Sequence, residues 1–455
     1  MRWWIPVSLM CWCAAHAQSG PGIRWQATPL QGFAEFHGLL ASGDRLLAWG
    51  DAGADSVRAA VACWFDGETG ETLGSWRDTR SRSRFWGSRE DEGGFLLVGE
   101  ARRGDGPSRP MLLRLDQQGD SLWLREPDWG GDCVLRAVVP LTAGGWLVGG
   151  ERDHQALLAR LDGQGDTLWT REFEFFPEYD DVFYDVDELA DGRLVACGQT
   201  YHDSHEWTSR YAVLAWFDMD GALLDLFQPY DAQMFDVEPL ADGRMALTGD
   251  FQFAYLPVWL GTSSQDMTHH YFGVRERDMQ GTAIRACPDG GLAVGGRWQT
   301  AEGEMAALLL RLDSQGEELW RMGYDVCGID MGWGLVSGDD GSHRLAGFCM
   351  PSRTAFVLAT HSEGSPVAPP HRQTTEDPRM AVDWAGIQLR WERPVTEAMI
   401  VELFNLAGQR VSITSIAPGR NVEHLRWDTL AAGAYVLRLS SPTTSLSWLV
   451  PWQPR

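Results

Sequence analysis

The 455-residue sequence contains no lysine and only two asparagines. All 38 basic side chains are therefore arginine, which excludes chemistry that needs an amine side chain, such as a Schiff-base lysine or the lysine of a P-loop. Neither Asn405 nor Asn421 begins an Asn-x-Ser/Thr acceptor, so N-glycosylation is excluded as well. The formal net charge of −25 argues against nucleic acid or an anionic membrane as a partner, because both are bound through basic patches.

The mature chain is also expected to lack a transmembrane segment. Residues 1–17 have Arg2 near the start, an apolar run through Cys13 and the sequence Ala15-His16-Ala17 at the end, which is typical of a secretory signal peptide. The apolar run contains Pro6 and is shorter than the roughly 20 residues that span a bilayer, which disfavours a membrane anchor. We therefore expect cleavage after Ala17 and export from the cytoplasm.

Closely spaced cysteines are missing from the mature chain. No Cys-x-x-Cys pair occurs there, which disfavours a zinc site or a thioredoxin-like motif, and we expect neither a metal nor a cofactor. A disulfide between Cys327 and Cys349, which flank the last internal hairpin, is the one pairing we consider. Most of the six cysteines are predicted to be buried thiols: Cys63, Cys133, Cys197, Cys287, Cys327 and Cys349.

What the sequence does contain is a repeat with a period near 49 residues. Each copy has a tight turn, an apolar run and a closing glycine, as in Asp191-Gly-Arg-Leu-Val-Ala-Cys-Gly198. A second signature follows, an apolar strand that leads into a turn and a tryptophan, as in Leu158-Ala-Arg-Leu-Asp-Gly-Gln-Gly-Asp-Thr-Leu-Trp169. The closing glycines mark seven copies: Gly50, Gly99, Gly150, Gly198, Gly249, Gly296 and Gly347.

Two hairpins in each copy give four short antiparallel strands, which we label a to d, and this is the size of a propeller blade. The sequence therefore predicts an all-β fold in which residues 18–362 form a seven-bladed β-propeller. The recurrent tryptophan opens strand d, where packing between blades is favoured over a role as a stacking platform. The repeat resembles those of secreted bacterial propellers whose blades carry an Asp-Gly-Gly hairpin and a Leu-Asp-x-x-Gly-Asp-x-Leu-Trp segment.

The seventh copy lacks a strand d of its own. It has a strand c at residues 355–360 and then enters a Pro-rich segment, so another part of the chain must cover its edge. Trp25 lies 25 residues before Gly50, close to the 27 residues that separate Trp123 from Gly150. We predict that residues 23–29 form the outer strand of the seventh blade and close the ring.

Residues 363–378 are Pro-rich and polar, which predicts an extended linker between domains. Residues 379–455 contain eight Arg and six Asp or Glu, whereas the rest of the mature chain carries −28. Four alternating segments, at 387–391, 399–404, 434–439 and 445–450, predict a small Ig-like β-sandwich in this tail.

The tail resembles the C-terminal (type A) sorting domain of the type IX secretion system. The matching segments run from Val401 to Val411, from Leu425 to Asp428 and from Ala432 to Leu439, and the resemblance implies a Gram-negative bacterium, delivery to the cell surface or medium, and the secretion machinery as a partner. The family usually has lysine near its last strand, which this chain lacks, so an adhesive or flagellar-hook-type Ig domain is the alternative. The motif positions are Asn405, Gly408, Gln409, Trp427, Asp428, Gly433, Tyr435 and Arg438.

Loops that vary in length on a rigid scaffold are where binding sites concentrate, and here the b–c and d–a loops vary while the other turns are short. Two of these loops are acidic and aromatic together, at residues 172–181 and 201–207. As platforms for a sugar ring or a peptide side chain they offer Phe176, Tyr179 and Trp207, and the propeller's negative charge predicts a neutral or cationic ligand unless loop arginines reverse the field locally.

A hydrolase is the alternative function. It would use His202, His205 and Asp203, or a carboxylate pair in the channel formed by Asp185 and Asp236. No Ser-His-Asp order, nucleophile elbow or His-Glu-x-x-His occurs, so no catalytic residue is assigned and binding of a glycan or protein is favoured. A solvated acidic rim and a surface for self-assembly are the two remaining interpretations.

Overall fold

A computed structural model describes most of residues 21–362 and most of residues 379–452. Every helix or strand assigned in these ranges is a β-strand, and the chain divides into two compact units, Met1–Pro366 and Val367–Arg455. The described ranges have gaps at 31–32, 54–57, 81, 204–207, 253, 274–277, 300–302, 327–328, 384–385, 391–398, 406–409, 419–421, 426–432 and 441–444. The predicted signal peptide lies outside the described residues.

The first unit is a β-propeller of seven four-stranded antiparallel sheets, as the repeat predicts. The first four blades are β2 (Ala34–Ser42), β3 (Arg45–Ala52), β4 (Ala59–Asp66) and β5 (Thr72–Arg77); β6 (Arg82–Asp91), β7 (Gly94–Arg102), β8 (Ser108–Leu115) and β9 (Ser121–Arg125); β10 (Cys133–Pro140), β11 (Trp146–Arg152), β12 (Gln155–Leu161) and β13 (Thr167–Phe173); and β14 (Asp180–Glu188), β15 (Leu194–Asp203), β16 (Thr208–Phe217) and β17 (Leu223–Phe227).

The remaining three blades complete the ring. They are β18 (Ala232–Pro239), β19 (Met245–Phe251), β20 (Leu256–Gly261) and β21 (Thr268–Phe272); β22 (Met279–Ala286), β23 (Leu292–Gln299), β24 (Met305–Leu312) and β25 (Glu318–Tyr324); and β26 (Ile329–Ser337), β27 (His343–Met350), β28 (Thr354–Thr360) and β1 (Ile23–Ala27).

The prediction that the N-terminal segment closes the seventh blade is confirmed. Strand β1 pairs antiparallel with β28, and Trp25 lies opposite Ala359. Two hydrogen bonds extend the seam. The His361 N–H donates to the Gly22 carbonyl at 2.9 Å, and the side-chain hydroxyl of Tyr324, in the sixth blade, donates to the Pro21 carbonyl at 2.8 Å. The ring is therefore held shut by residues from both ends of the propeller.

The recurrent glycine is explained by a β-bulge in the innermost strand of each blade. In the first blade His37 is the extra residue, because Phe36 pairs with Gly50 and Gly38 pairs with Trp49. A Cβ at Gly50 would lie only 1.9 Å from the Glu35 carbonyl oxygen, so the strand facing the bulge requires glycine. All seven closing glycines of the repeat have this contact with the preceding strand, at 1.9 to 2.0 Å.

The recurrent tryptophans pack between blades, as predicted. The Trp123 ring lies 2.6 Å from the Cβ position of Gly165, in the c–d turn of the next blade, and Trp169 covers Gly221 in the same way at 2.9 Å. Trp25 makes the equivalent contact with Gly70 across the seam. Buried apolar side chains fill the space between neighbouring sheets, as Leu147, Phe183, Val213 and Phe217 do.

The second unit contains two antiparallel sheets. One has the order β29 (Arg379–Asp383), β30 (Gly386–Arg390) and β33 (Val422–Leu425); the other has the order β32 (Arg410–Ile416), β31 (Met399–Asn405), β34 (Gly433–Ser440) and β35 (Ser445–Trp452). The four predicted strand segments are strands, and the Ig-like sandwich stays a prediction. Among the sorting-motif positions, Asn405 pairs with Tyr435, and Gly433 and Arg438 share the strand of Tyr435. Outside the described residues lie Gly408, Gln409, Trp427 and Asp428.

Four cysteines of the propeller are buried, namely Cys63, Cys133, Cys197 and Cys287, and the first three are free thiols. Burial raises the pKa of the Cys63 and Cys133 thiols to about 12, which leaves them protonated and unreactive. Cys349 is disulfide-bonded, and its predicted partner Cys327 lies outside the described residues. Within the part of the chain that the structure describes, no helix is long and apolar enough to cross a membrane.

Candidate functional site

The seven bulges place one side chain from each blade around a cavity of about 290 Å³ on the propeller axis. The bulged residue stands out from the regular alternation of the strand, so its side chain turns into the channel rather than into the space between blades. We call this set the channel ring. It consists of His37, Trp86, Arg136, Tyr184, Phe235, Thr282 and Trp333.

The channel ring is mainly aromatic. His37 stacks on Trp86 with ring centroids 4.3 Å apart, and Tyr184 contacts Phe235 at 5.2 Å. Phe235 meets Trp333 edge to face at 6.5 Å. Such rings give the cavity flat apolar walls whose edges carry polar groups, an arrangement suited to ligands with both apolar faces and hydroxyl groups.

Three indole N–H groups at the cavity have no hydrogen-bond partner among the described residues. They belong to Trp86 and Trp333 of the channel ring and to Trp49, which packs behind Gly38. A buried donor without an acceptor costs roughly 1 to 3 kcal/mol, so native structures rarely leave several together. The indole nitrogens of Trp64, Trp169 and Trp216 are equally buried without a partner among the described residues and do not line this cavity, so the unpaired donors do not by themselves mark a ligand site.

Arg136 gives the ring its one permanent charge. Its guanidinium lies 4.8 Å from the Trp86 ring and 5.5 Å from the Tyr184 ring, and it pairs with Glu151 at 2.6 Å. Gln199 Nε2 donates to the Tyr184 hydroxyl at 2.7 Å, which fixes that ring from the other side. The walls of the cavity are therefore held in place before any ligand enters.

Asp185 and Asp236 follow the bulge in adjacent blades and face the channel, as the sequence predicts, and both are buried. Each also joins its blade to the next, because Asp185 Oδ2 accepts the Val237 N–H at 3.1 Å and Asp236 Oδ2 accepts the Ile284 N–H at 2.6 Å. Burial, reinforced by the neighbouring Asp236 charge, raises the pKa of Asp185 well above its ordinary value. The pair therefore has a structural role between blades, whatever chemistry it also performs.

Charges of both signs line the channel nearer to the a–b turns. Arg89 lies 3.7 Å from Asp185, and Arg285 pairs with Asp236 and, at 3.8 Å, with Glu238. Burial raises the pKa of Asp187 to about 6, although Arg89 partly offsets the effect. This end of the channel is therefore polar, whereas the channel ring is mainly aromatic.

Part of the predicted loop site comes together on the b–c and d–a face of the fourth blade. Phe176 lies 5.6 Å from Tyr179, which lies 4.9 Å from the His202 ring. Sequence reasoning missed Tyr211, stacked on Phe176 at 4.9 Å, and Tyr230 beside it at 5.1 Å. Their positions in the sequence could have predicted them, because Tyr211 lies near the start of β16 and Tyr230 lies in the loop between β17 and β18, both at this face. We call these five residues the rim aromatic cluster.

The remaining predicted residues of this site, His205 and Trp207, lie outside the described residues. The loop that carries Phe176 is anchored by Asp181, whose buried carboxylate accepts the Phe175 N–H at 2.9 Å. Burial raises the pKa of Asp181 to about 6. The rim aromatic cluster thus rests on a buried carboxylate that is half protonated near pH 6.

Glu35, His37 and Asp51 could hold a metal ion by distance alone, because their ligand atoms lie within 4.8 Å of one another. The same carboxylates are already paired with arginine, since Arg58 Nη1 lies 3.0 Å from Glu35 and 3.1 Å from Asp51, and Arg84 Nε lies 3.1 Å from Asp51. These guanidinium groups supply the positive charge that a cation would bring. We therefore assign the carboxylates to arginine rather than to a metal.

Comparison with known proteins supports the fold only. No protein family matches the sequence, and no curated protein is similar to it. The structure is similar to Sqt1 from Chaetomium thermophilum, with a TM-score of 0.50 and 9% identity over 75% of this chain and 99% of Sqt1.

Two further structures are more distant. PorZ, an essential bacterial surface component of the type IX secretion system of Porphyromonas gingivalis, gives a TM-score of 0.44 and 12% identity over 95% of this chain and 61% of PorZ. A puromycin hydrolase gives a TM-score of 0.45 and 18% identity over 80% of this chain and 59% of the hydrolase. The chain thus spans about three fifths of the length of these two proteins.

Proposed function

We propose that the protein is an extracellular binding module whose channel ring takes the sugar residues of a glycan. The observation that carries the proposal is the set of aromatic side chains, including Trp86, Tyr184 and Trp333, that successive blades place around a cavity of about 290 Å³. A sugar offers ring faces that stack on aromatic side chains and hydroxyl oxygens that accept hydrogen bonds. A peptide would place its apolar side chains against the same rings and is the other ligand class to be tested.

The rim aromatic cluster would extend this site toward the loops. Phe176 and Tyr179 are half-buried and Tyr230 is 59% exposed, so the cluster offers ring surface to a chain that leaves the channel. Each stacking contact is worth about 1 kcal/mol beyond simple burial. We expect the rim to add affinity and the channel to decide which residue of the ligand is recognised.

The test begins with the full chain on glycan and peptide arrays, followed by titration of the best ligand. Trp86→Ala together with Trp333→Ala removes two of the rings that line the cavity. The affinity of this double variant should fall at least tenfold, since two stacking contacts of about 1 kcal/mol each are lost together with the apolar area they bury. Trp123→Ala, on the outer strand, is the control and should bind like the wild type. Unchanged affinity in the double variant would remove the channel from the proposal.

A hydrolase is the second candidate function, because one member of the Asp185–Asp236 pair has the raised pKa that a general acid requires. Both carboxylates are, however, engaged by backbone N–H groups of the next blade. The array ligand should therefore be recovered intact after prolonged incubation with the protein. Cleavage that Asp236→Asn abolishes, without loss of binding, would favour the hydrolase instead.

We further propose that the tail directs export through a type IX-like system to the cell surface. The proposal rests on the motif residues of the tail and on the predicted signal peptide. Removing residues 379–455 in the native host should trap the propeller in the periplasm, and the location is checked by fractionation. Normal surface delivery of the truncated chain would refute this part of the proposal.

A further inference from the structure

A second cavity, of about 380 Å³, lies away from the channel and is lined mainly by arginine. Its walls come from the seventh, first and second blades at the b–c and d–a face. One carboxylate, Glu100, and one hydroxyl, Ser83, join five guanidinium groups in the lining. We call this cavity the arginine pocket, and its arginines are Arg58, Arg82, Arg84, Arg102 and Arg353.

The carboxylates that stabilise these arginines lie beneath them. Asp51 is 1% exposed and Glu35 13%, whereas Arg84 is 31% exposed and Arg353 35%. Arg58 is fixed by both carboxylates at 3.0 and 3.1 Å. The buried acids thus orient the guanidinium groups from behind and lower their mutual repulsion, while the surface that faces the cavity remains positive.

On the outer side of the pocket, the positive charges of the arginines are less neutralised by neighbouring carboxylates. Arg82 is exposed and has no ion pair among the described residues, and Arg102 pairs at 3.3 Å with Asp132, which is itself 53% exposed. The Glu100 carboxylate accepts the Ser108 hydroxyl at 2.7 Å. The lining of the pocket carries five guanidinium groups against the one carboxylate of Glu100, and an anion is the ligand that this local balance favours.

We propose that the arginine pocket binds a phosphate group. Planar guanidinium groups pair with phosphate through two parallel hydrogen bonds, and several of them suit a dianion better than a singly charged carboxylate. None of the described residues that line the cavity is aromatic, which distinguishes it from the channel and leaves charge as its means of recognition. Free inorganic phosphate and a phosphorylated sugar present this same chemistry. The proposal does not depend on the function proposed for the channel.

The test is calorimetric titration of the full chain with inorganic phosphate, glucose 6-phosphate and acetate at one ionic strength. Phosphate should bind saturably and acetate at least tenfold more weakly. Tighter binding of glucose 6-phosphate than of inorganic phosphate would identify a phosphorylated sugar as the ligand. Tighter binding of inorganic phosphate would identify free phosphate. No saturable binding of either phosphate, or equal binding of acetate, would overturn the proposal.

The variant for this test is Arg82→Gln with Arg102→Gln, because these two side chains do not hold the buried carboxylates. Affinity for phosphate should fall at least tenfold, with an unchanged melting temperature. Arg125→Gln, on the outer strand of the same blade and 36% exposed where Arg102 is 42% exposed, is the control and should bind like the wild type. Equal loss in the control, or full binding in the double variant, would show that phosphate responds to overall charge and would refute the site.

Discussion

The arginine pocket and the a–b end of the channel lie on one scaffold with one repeat, yet their charge balances are opposite. We call that end the acidic side of the channel, because its carboxylates outnumber Arg89 and Arg285; they are Asp185, Asp187, Asp236 and Glu238. Two residues before the bulge, the second blade has Arg84 where the fourth has Val182. Three residues after the bulge, the fourth and fifth blades have Asp187 and Glu238. The repeat constrains the glycine and tryptophan that build a blade, and the positions it leaves free carry the chemistry.

The largest effect should come from opening the ring on the side of the arginine pocket. Deleting residues 18–30 removes β1 and exposes the edge of β28, so the melting temperature should fall by many degrees in a thermal scan. Deleting residues 379–455 is the control and should leave the melting temperature of the propeller intact. An unchanged value after the first deletion would show that β1 does not hold the ring shut.

The glycines that face the bulges should contribute equally to the free energy of unfolding in the first blade, beside the arginine pocket, and in the fourth blade, beside the acidic side of the channel. Gly50→Ala in the first blade and Gly198→Ala in the fourth each place a Cβ 1.9 Å from a carbonyl oxygen, so each should cost about 3 kcal/mol in urea unfolding. Gly163→Ala, which meets nothing within 4 Å, is the matched control and should change stability little. A large difference between the first two variants would mean that the two sides do not share a scaffold.

The acidic side should respond to pH through Asp187. Burial raises its pKa from 3.8 to about 6, so the stability that this group contributes is full below its unfolded pKa and is lost as pH rises through 6. Asp187→Asn should therefore be more stable than the wild type at pH 8, by about 2 kcal/mol, and equal to it at pH 4. Asp191→Asn should not gain stability, because the Asp191 pKa is lowered, with hydrogen bonds from Arg193 outweighing desolvation. Urea unfolding at the two pH values measures both, and a pH-independent difference would contradict the assignment.

The smallest effect should be a difference in salt dependence between the sites. Raising salt from 0.05 to 0.5 M should weaken phosphate binding to the arginine pocket several-fold, because the charges are partly exposed and screened. Binding of an uncharged saccharide in the channel should change little over the same range. Equal salt slopes in parallel titrations would mean that the two ligands share one site.

Much of the scaffold could be predicted from the sequence because its determinants are local. The Asp-Gly and Gly-Gly turns, the closing glycines and the tryptophans recur at fixed spacing, and the register of Trp25 was enough to place β1. The channel ring could not be predicted, because whether His37 or Phe36 bulges depends on pairing with the neighbouring strand. The arginine pocket was missed for a further reason, since its side chains come from three blades and Arg58 and Arg353 are 295 positions apart.

The pairing of β1 with β28 also sets the order of events during synthesis. Ile23 reaches its partner Thr360 only after 337 further residues have been added, which takes roughly 20 to 70 s at about 5 to 20 residues per second. Throughout that interval the first strand has no partner on its own chain. Any cell that makes this protein must therefore keep β1 from pairing with other chains, and a propeller interrupted before residue 354 would present two open edges to its neighbours.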